Sequence, residues 1–239
     1  MFSLFVRRDG LIDPPTFGEF DCHCHILPGL DDGAPDEKTS ISIARVLVEM
    51  GVRTVAATPH VLSDAYPNST SRIVETCGFL QRKVAQLGLP LTLVPGAEYY
   101  VEREFLQRIE RGDILCFGDD RCVLFETPVE HEPLLLDDVV FQLRSAGLTP
   151  VLAHAERYRY LSDNPARVAE LRNQGVKIQV NHPSFFLPKT SRRGEAARRL
   201  YIKGQVDLLG TDMHRATAED VRLVAQGDHN FFARMNGRS

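Results

Sequence analysis

The sequence predicts an α/β fold in which seven parallel strands form a closed or nearly closed barrel, and three observations predict it. Strand-like and helix-like segments alternate from Phe17 to the C-terminus. Such alternation implies parallel strands joined by right-handed crossovers. Seven such units fit one domain of 239 residues. Finally, His60, Glu98, Glu126, His154 and Asp212 each follow a short apolar run. Barrel enzymes carry their chemistry at the C-terminal ends of strands. A doubly wound open sheet, the alternative, would spread these ends along a line.

The first strand runs from about Phe17 to His25. A Pro28-Gly29 turn and Asp31-Asp32-Gly33 follow. A helix starts near Asp36-Glu37, acids suited to its positive end. Ile43, Leu47 and Met50 form its apolar stripe, and Gly51 ends it. Thr54 to Thr58 is the second strand, and a helix from about Thr70 to Leu87 stops at Gly88. Leu91 to Val94 and Cys122 to Phe125 are the third and fourth strands. Leu136, Val139, Val140 and Leu143 give a helical stripe that Gly147 stops. Val151 to Ala153 is the fifth strand. Asn164-Pro165 is a cap with a proline at the first helical position, and Gly175 closes that helix. Val176 to Val180 is the sixth strand, a helix spans about Gly194 to Lys203, and Val206 to Leu209 is the seventh strand. A last helix covers about Thr217 to Ala225.

Residues 17–239 read as one domain behind a tail, 1–16. In Met1 to Arg8 the apolar residues precede the basic ones, the reverse of a secretory signal. Lys and Arg total 28 against 32 Asp and Glu, a net charge of −4. That gives no electrostatic support to nucleic-acid binding. No apolar stretch approaches the ~20 residues that span a bilayer. Five scattered cysteines make no disulfide scaffold and fit a reduced, cytoplasmic setting.

The chemistry concentrates in a few places. His23 and His25 share one side of a strand, because strand side chains alternate with a period of two. Asp212 and His214 share that geometry if their segment is extended. Imidazole nitrogens and carboxylate oxygens suit Mn, Fe, Zn or Mg. The run Cys22-His23-Cys24-His25 resembles a thiolate–imidazole zinc site, but the pleat sends the cysteines the other way. They are expected to be buried small apolar residues. Asp31-Asp32-Gly33 alone is a common turn; its position just beyond the histidine pair raises a functional role. Arg157, three residues after His154, can fork onto phosphate oxygens. His131, His182 and His229 lie off the pattern, with His182 near enough to the sixth strand for a substrate contact.

Taken together, Asp21-x-His23-x-His25-Ile-Leu-Pro-Gly-Leu-Asp-Asp-Gly33, Thr58-Pro59-His60, Gly96-Ala97-Glu98, Glu126, His154-x-Glu156-Arg157-Tyr158 and Asp212-x-His214 resemble the polymerase and histidinol phosphatase (PHP) superfamily. The leader is similar to that of bacterial capsule- and exopolysaccharide-locus protein-tyrosine phosphatases. The resemblance covers roughly residues 17–225. It implies a distorted seven-stranded (β/α)7 TIM-like barrel holding three divalent cations, Mn or Fe, with Zn, Mg or Co as alternatives. Carried over by position, the first cation takes His23, His25, Glu98 and Asp212. The second shares Glu98 and adds Glu126 and His154. The third takes Asp32, His60 and His214. The resemblance implies attack on phosphorus by metal-activated water. Arg157 then holds the phosphate and His214 is a candidate proton source. Where many members carry a second phosphate-binding arginine this chain has Glu219, which leaves Arg215 and Arg222 nearby, with Arg215 the candidate.

The implied activity is hydrolysis of phosphotyrosine on a protein, namely the tail of a polysaccharide-locus tyrosine kinase. A histidinol-phosphatase-type enzyme, a nuclease and a non-catalytic metal-binding regulator are the alternatives. Thiol-based phosphatases need an arginine six residues after the cysteine. Cys22, Cys24, Cys77, Cys116 and Cys122 are followed at that distance by Pro28, Leu30, Lys83, Cys122 and Pro128. Any phosphatase activity is therefore expected to be metal-based.

Overall fold

A computed structural model describes residues 14–225. Most of the expected tail, residues 1–13, and His229 lie outside the described residues. The elements run β1 (Phe20–Cys24), α1 (Glu37–Glu49), β2 (Thr54–Ala57), β3 (His60–Val61), α2 (Thr70–Gln86), β4 (Thr92–Pro95), β5 (Glu98–Tyr100) and α3 (Arg103–Arg111). They continue with β6 (Cys122–Glu126), α4 (Leu136–Ser145), β7 (Thr149–Leu152), α5 (Arg159–Asp163), α6 (Pro165–Asn173), β8 (Lys177–Asn181), α7 (Arg192–Ile202), β9 (Leu208–Gly210) and α8 (Ala218–Ala225). Short 3-10 turns cover Ala155–Arg157 and His182–Phe186.

All strand pairs are parallel, in two sheets of order β1-β2-β4 and β3-β5-β6-β7-β8-β9. The architecture is an α/β fold whose parallel sheets curl into part of a barrel. Seven strands were expected and nine are present among the described residues, because the second and third strands are each interrupted. Thr58-Pro59 separates β2 from β3, and Gly96-Ala97 separates β4 from β5. Proline lacks the N–H that the ladder uses. The register is the same on both sides of the break, with Thr54 opposite Thr92 and His60 opposite Glu98. On the far side, His23 O accepts from Asp212 N at 2.8 Å, and Met213 O accepts from His25 N at 3.1 Å. These bonds lay the segment after β9 beside β1.

Alternate strand residues divide between two apolar clusters, as a period of two requires. Val55, Ala57, Val123, Phe125, Leu152, Ile178 and Val180 face the helices in the main core. Ala56, Cys122, Leu124, Val151 and Ala153 form a smaller cluster on the concave face. Further along that face stand Glu98 and Glu126. The site therefore rests on an apolar floor.

Asn164 stands at the N-cap of α6 with Pro165 first, as expected, but its side chain makes no capping bond. Asp36 accepts from Thr39 N at 2.8 Å to start α1, and Gly51 leaves it at φ +89°. Helix α3 was not expected. It is highly charged, and only Phe105 and Ile109, four residues apart, are buried, so its apolar stripe is two residues long. Among the described residues no helix is long and apolar enough to cross a membrane.

Candidate metal centre and phosphate site

His23 and Asp21 are fully buried, and so is His25 just past the end of β1. The expected shared side is observed: His23 Nε2 and His25 Nε2 are 3.1 Å apart. Each ring is oriented by a bond at its other nitrogen. His23 Nδ1 meets Gln179 Oε1 at 3.1 Å, and His25 Nδ1 meets Asp31 Oδ2 at 2.7 Å. Such bonds fix the tautomer and leave the Nε2 lone pairs facing the centre. Backbone packs closely here too. A Cβ on Gly210 would lie 2.5 Å from His23 Cβ, and one on Gly33 would lie 2.5 Å from His25 Cβ, so neither position has room for a side chain.

Glu98 is the hub. It has no exposure, and neither carboxylate oxygen has a hydrogen-bond partner. Its Oε2 lies 3.2 Å from His23 Nε2, 3.4 Å from His25 Nε2 and 3.1 Å from His60 Nδ1. Its Oε1 lies 2.9 Å from His154 Nε2. Asp212 Oδ1 completes the first group, 3.5 Å from His23 Nε2 and 3.3 Å from His25 Nε2. His154 and Asp212 stand two residues past the ends of β7 and β9, with φ of +30° and +53°. Left-handed backbone at a non-glycine costs about 1 kcal/mol or more, and here it turns both side chains inward.

The rim holds the remaining groups. Glu126 Oε1 is 3.0 Å from His60 Nδ1, and Glu126 Oε2 is 3.7 Å from His154 Nε2. Asp32 Oδ1 is 3.6 Å from both His60 Nε2 and His214 Nε2. His214 Nδ1 meets the Asp212 carbonyl at 2.9 Å. Four overlapping groups with ion-binding spacing result: His25, Asp32, His60, His214; His23, His25, Asp212; His23, Glu98, His154; and His60, Glu98, Glu126. All nine residues expected as ligands are thus brought together.

Electrostatics favours a cation. Burial alone would lower the His23 imidazole, but the Glu98 and Asp212 carboxylates raise it to about 9. Burial would raise Glu98, yet His23 and His60 hold it well below the usual carboxylate range. A buried carboxylate with two unpaired oxygens among imidazole nitrogens is costly without a counter-charge. Divalent cations fit this donor set of imidazole and carboxylate.

Arg157 sits on the 3-10 turn after β7, with its Nη1 3.4 Å from Asp212 Oδ2 and its side chain 30% exposed. A partly open guanidinium at the edge of the cluster can take an anion. Arg215 is exposed and donates from Nη1 to the Gly33 carbonyl at 2.5 Å. His182 is not at the site. It is buried, its Nε2 meets Pro15 O at 3.0 Å, and its ring packs with those of Phe17, Phe185 and Phe186. Cys22 and Cys24 are both buried, as expected, but they do not share a side: the register of β1 shifts between Asp21 and Cys24, so Cys22 joins the concave cluster and Cys24 the main core.

Several supporting residues escaped the sequence reading. Asp31 is one: its Oδ1 accepts from Gly33 N and its Oδ2 from His60 N, both at 2.9 Å, besides holding His25. Gln179 also accepts from His154 N at 2.7 Å. Asn181 Nδ2 donates to Asp212 Oδ2 at 2.7 Å. Asp21 accepts from Thr211 Oγ1 at 2.6 Å and ties β1 to the residue after β9. A signal existed for two of them. In Lys177-Ile-Gln-Val-Asn181 the polar residues alternate with the apolar ones, which marks Gln179 and Asn181 as facing the polar side.

Comparison with known proteins finds relatives across most of the chain. The family model for capsular polysaccharide synthesis proteins of the CpsB/CapC type matches residues 19–226. The tyrosine-protein phosphatase YwqE of Bacillus subtilis is 35% identical over 165 residues, which are 69% of this chain and 65% of YwqE. That match spans just under two thirds of YwqE. The tyrosine-protein phosphatase CpsB of Streptococcus pneumoniae is 30% identical over 81% of this chain and 82% of its own. A crystal structure from work on these two proteins, described as metal-dependent tyrosine phosphatases, superimposes with a TM-score of 0.77 at 28% identity, covering 91% of each chain.

Proposed function

The chain belongs to the CpsB/CapC capsular polysaccharide synthesis family, and on that premise we propose that it is a metal-dependent protein-tyrosine phosphatase. One observation carries the proposal: Glu98, buried with both oxygens unpaired, at the centre of four histidines. Arg157, a partly exposed guanidinium suited to an anion, stands at the edge of that cluster. The likeness to YwqE and CpsB supports phosphotyrosine as the substrate.

On this proposal three divalent cations, Mn or Fe, occupy the site. His23, His25, Glu98 and Asp212 hold the first. Glu98, Glu126 and His154 hold the second, and Asp32, His60 and His214 hold the third. The 3.1 Å between His25 Nε2 and His23 Nε2 supports His25 in the first group, with Asp31 engaging its Nδ1. When bound, such cations neutralise phosphoryl charge and make water acidic enough to serve as the nucleophile near neutral pH. The chain's own residues do the rest. Arg157 binds the phosphoryl oxygens and orients the ester. Asn181 and Asp31 keep the ligands aimed. His214 was the candidate proton source, but its Nδ1 meets the Asp212 carbonyl, burial lowers it to about 4, and its Nε2 is assigned to the third cation. The departing phenolate, a good leaving group, therefore takes its proton from solvent. Arg215 stands at the Asp31–Gly33 loop as a second anion contact. The substrate is proposed to be the phosphorylated tail of a polysaccharide-locus tyrosine kinase, met in the cytoplasm. In the same spirit β2 with β3, and β4 with β5, count as two kinked strands. The seven strands that result form a distorted (β/α)7 barrel, which the bonds between β1 and the segment after β9 close.

The test is phosphate release from a phosphotyrosine peptide and from histidinol phosphate, with added Mn or with chelator, for wild type and His25→Ala. Chelator-sensitive release from the peptide, lost in His25→Ala, is the expected result. A preference for histidinol phosphate would move the protein to small-molecule metabolism. No release from either, with metal bound, would leave a binding role.

A further inference from the structure

Beyond the nine candidate ligands and Arg157, the mouth of the site is bordered by phenol rings. Tyr66 stacks on the His60 imidazole, with ring centroids 5.6 Å apart and planes 16° apart. It is half-buried. Tyr100 lies two residues beyond Glu98 on β5, hence on the same face. It is opposite Glu126 in register and also half-buried. The two tyrosines therefore flank the His60, Glu98 and Glu126 group from the open side.

The loop that carries Tyr66 is fixed from several directions. Leu62 and Tyr66 exchange both backbone hydrogen bonds, at 3.1 and 2.9 Å. Asn68 N donates to Tyr66 O at 2.7 Å. Asn68 is 2% exposed, and its Nδ2 donates to the carbonyls of Leu30 and His60, each at 2.9 Å. Ser63 donates from both N and Oγ to the Glu102 carboxylate at 2.8 Å. The loop is thus tied to the strand that bears His60, to the turn that bears Asp31 and Asp32, and to the start of α3. An aromatic ring held in place before a ligand arrives loses little conformational freedom on binding it.

We propose that Tyr66 is the residue that selects aryl over alkyl phosphates, receiving the ring of the phosphate ester on its exposed side with Tyr100 as the adjoining wall. This deepens the phosphotyrosine function and rests on it. A serine or threonine ester offers no ring for this wall. It would be held by its phosphate alone and would gain nothing from the fixed loop. Aromatic pairing of this kind is worth about threefold to tenfold in affinity.

The experiment compares phenylphosphonate with methylphosphonate, which share a phosphonate head and are not hydrolysed. Their dissociation constants are measured by calorimetry on the metal-loaded protein for wild type, Tyr66→Leu and Tyr66→Phe. Wild type is expected to prefer phenylphosphonate. Tyr66→Leu should lose about threefold to tenfold of that preference, with methylphosphonate affinity within about twofold of wild type. Tyr66→Phe should keep it. On a phosphotyrosine peptide Tyr66→Leu should raise KM and leave kcat nearly unchanged. Equal weakening of both phosphonates would mean that Tyr66 only supports His60, and an unchanged preference would place the ring elsewhere; either result overturns the proposal. Phenylphosphonate binding that depends on Tyr66, in a protein that releases no phosphate from the peptide, would instead sink the phosphatase function and leave the aryl assignment standing.

Discussion

His23, His25 and Asp212 lie in the depth of the site at 0–4% exposure, each held by a further bond from Gln179, Asp31 or Asn181. Asp32, His60, Glu126 and His214 line the rim, with side chains 54%, 16%, 18% and 12% exposed. The difference separates two tasks. The deep groups are oriented in advance, at the expense of strained backbone and a buried unpaired carboxylate. The rim groups keep enough access to water for a substrate and a more loosely held cation to come and go. Deep substitutions should therefore act on metal binding and folding together. Rim substitutions should act on substrate.

The largest effect is expected at the hub. Glu98→Gln keeps the shape but removes the charge that the first and second groups of ligands share. Activity should fall by about a thousandfold or more, since metal-ion stabilisation supplies several kcal/mol. Without metal the variant should be less stable than wild type, because His23 and His60 lose the buried carboxylate that attracts them. Thermal unfolding with and without Mn checks this. Wild type should gain stability from the metal and Glu98→Gln should not. An undiminished gain would break the assignment of Glu98 as the shared ligand.

The supporting bonds come next. Gln179→Leu removes one acceptor that serves both the His23 ring and the His154 backbone. Metal affinity should drop about 10- to 100-fold, the usual cost of losing an orienting partner. Asp32→Ala, on the rim, should raise KM while the tightest-bound metal stays in place. Metal titrations followed by kinetics on the same preparations separate the two. If Asp32→Ala strips all metal, the division between depth and rim is wrong.

How far the sequence carried depends on the same division. His60, Glu98, Glu126, His154 and Asp212 were legible because each follows a short apolar run, where a charged side chain has no structural reason to stand, and His23 and His25 because they alternate on one strand. The families of sequence that share the motif then ordered them. The two-part roles of Asp31 and Asp32 were legible only halfway: spacing picked Asp32, but that Asp31 binds His25 needs the turn itself. Gln179 and Asn181 were missed because uncharged polar residues on a strand look ordinary until the opposite wall is known. The strand breaks at Pro59 and Gly96 were missed for the same reason: the register continues across them, so the hydrophobic runs on either side look complete. His182 was kept as a possible substrate contact on proximity to a strand end, and its aromatic surroundings show packing instead.

His182 gives the smallest effect on activity and the cleanest contrast with the deep histidines. Both it and His23 are buried, yet His23 is raised to about 9 by neighbouring carboxylates while burial lowers His182 to about 4. Burial, the larger cause, disfavours the imidazolium of His182, and the bond to Pro15 O offsets it only in part. In the unfolded chain His182 takes a proton below about pH 6.5, whereas in the fold it resists until about pH 4. The unfolded state thus binds more protons within that window, so stability is lost as pH falls from about 6.5 towards 4. At about 1.4 kcal/mol per pKa unit, the loss amounts to about 3 kcal/mol. His182→Phe keeps a ring among Phe17, Phe185 and Phe186 but cannot be protonated. Denaturant unfolding at pH 7 and pH 4.5 should show the variant gaining on wild type as the pH falls, with phosphatase activity at neutral pH little changed. A constant difference across that range would mean that His182 carries its proton in the fold, and that burial alone does not set its charge.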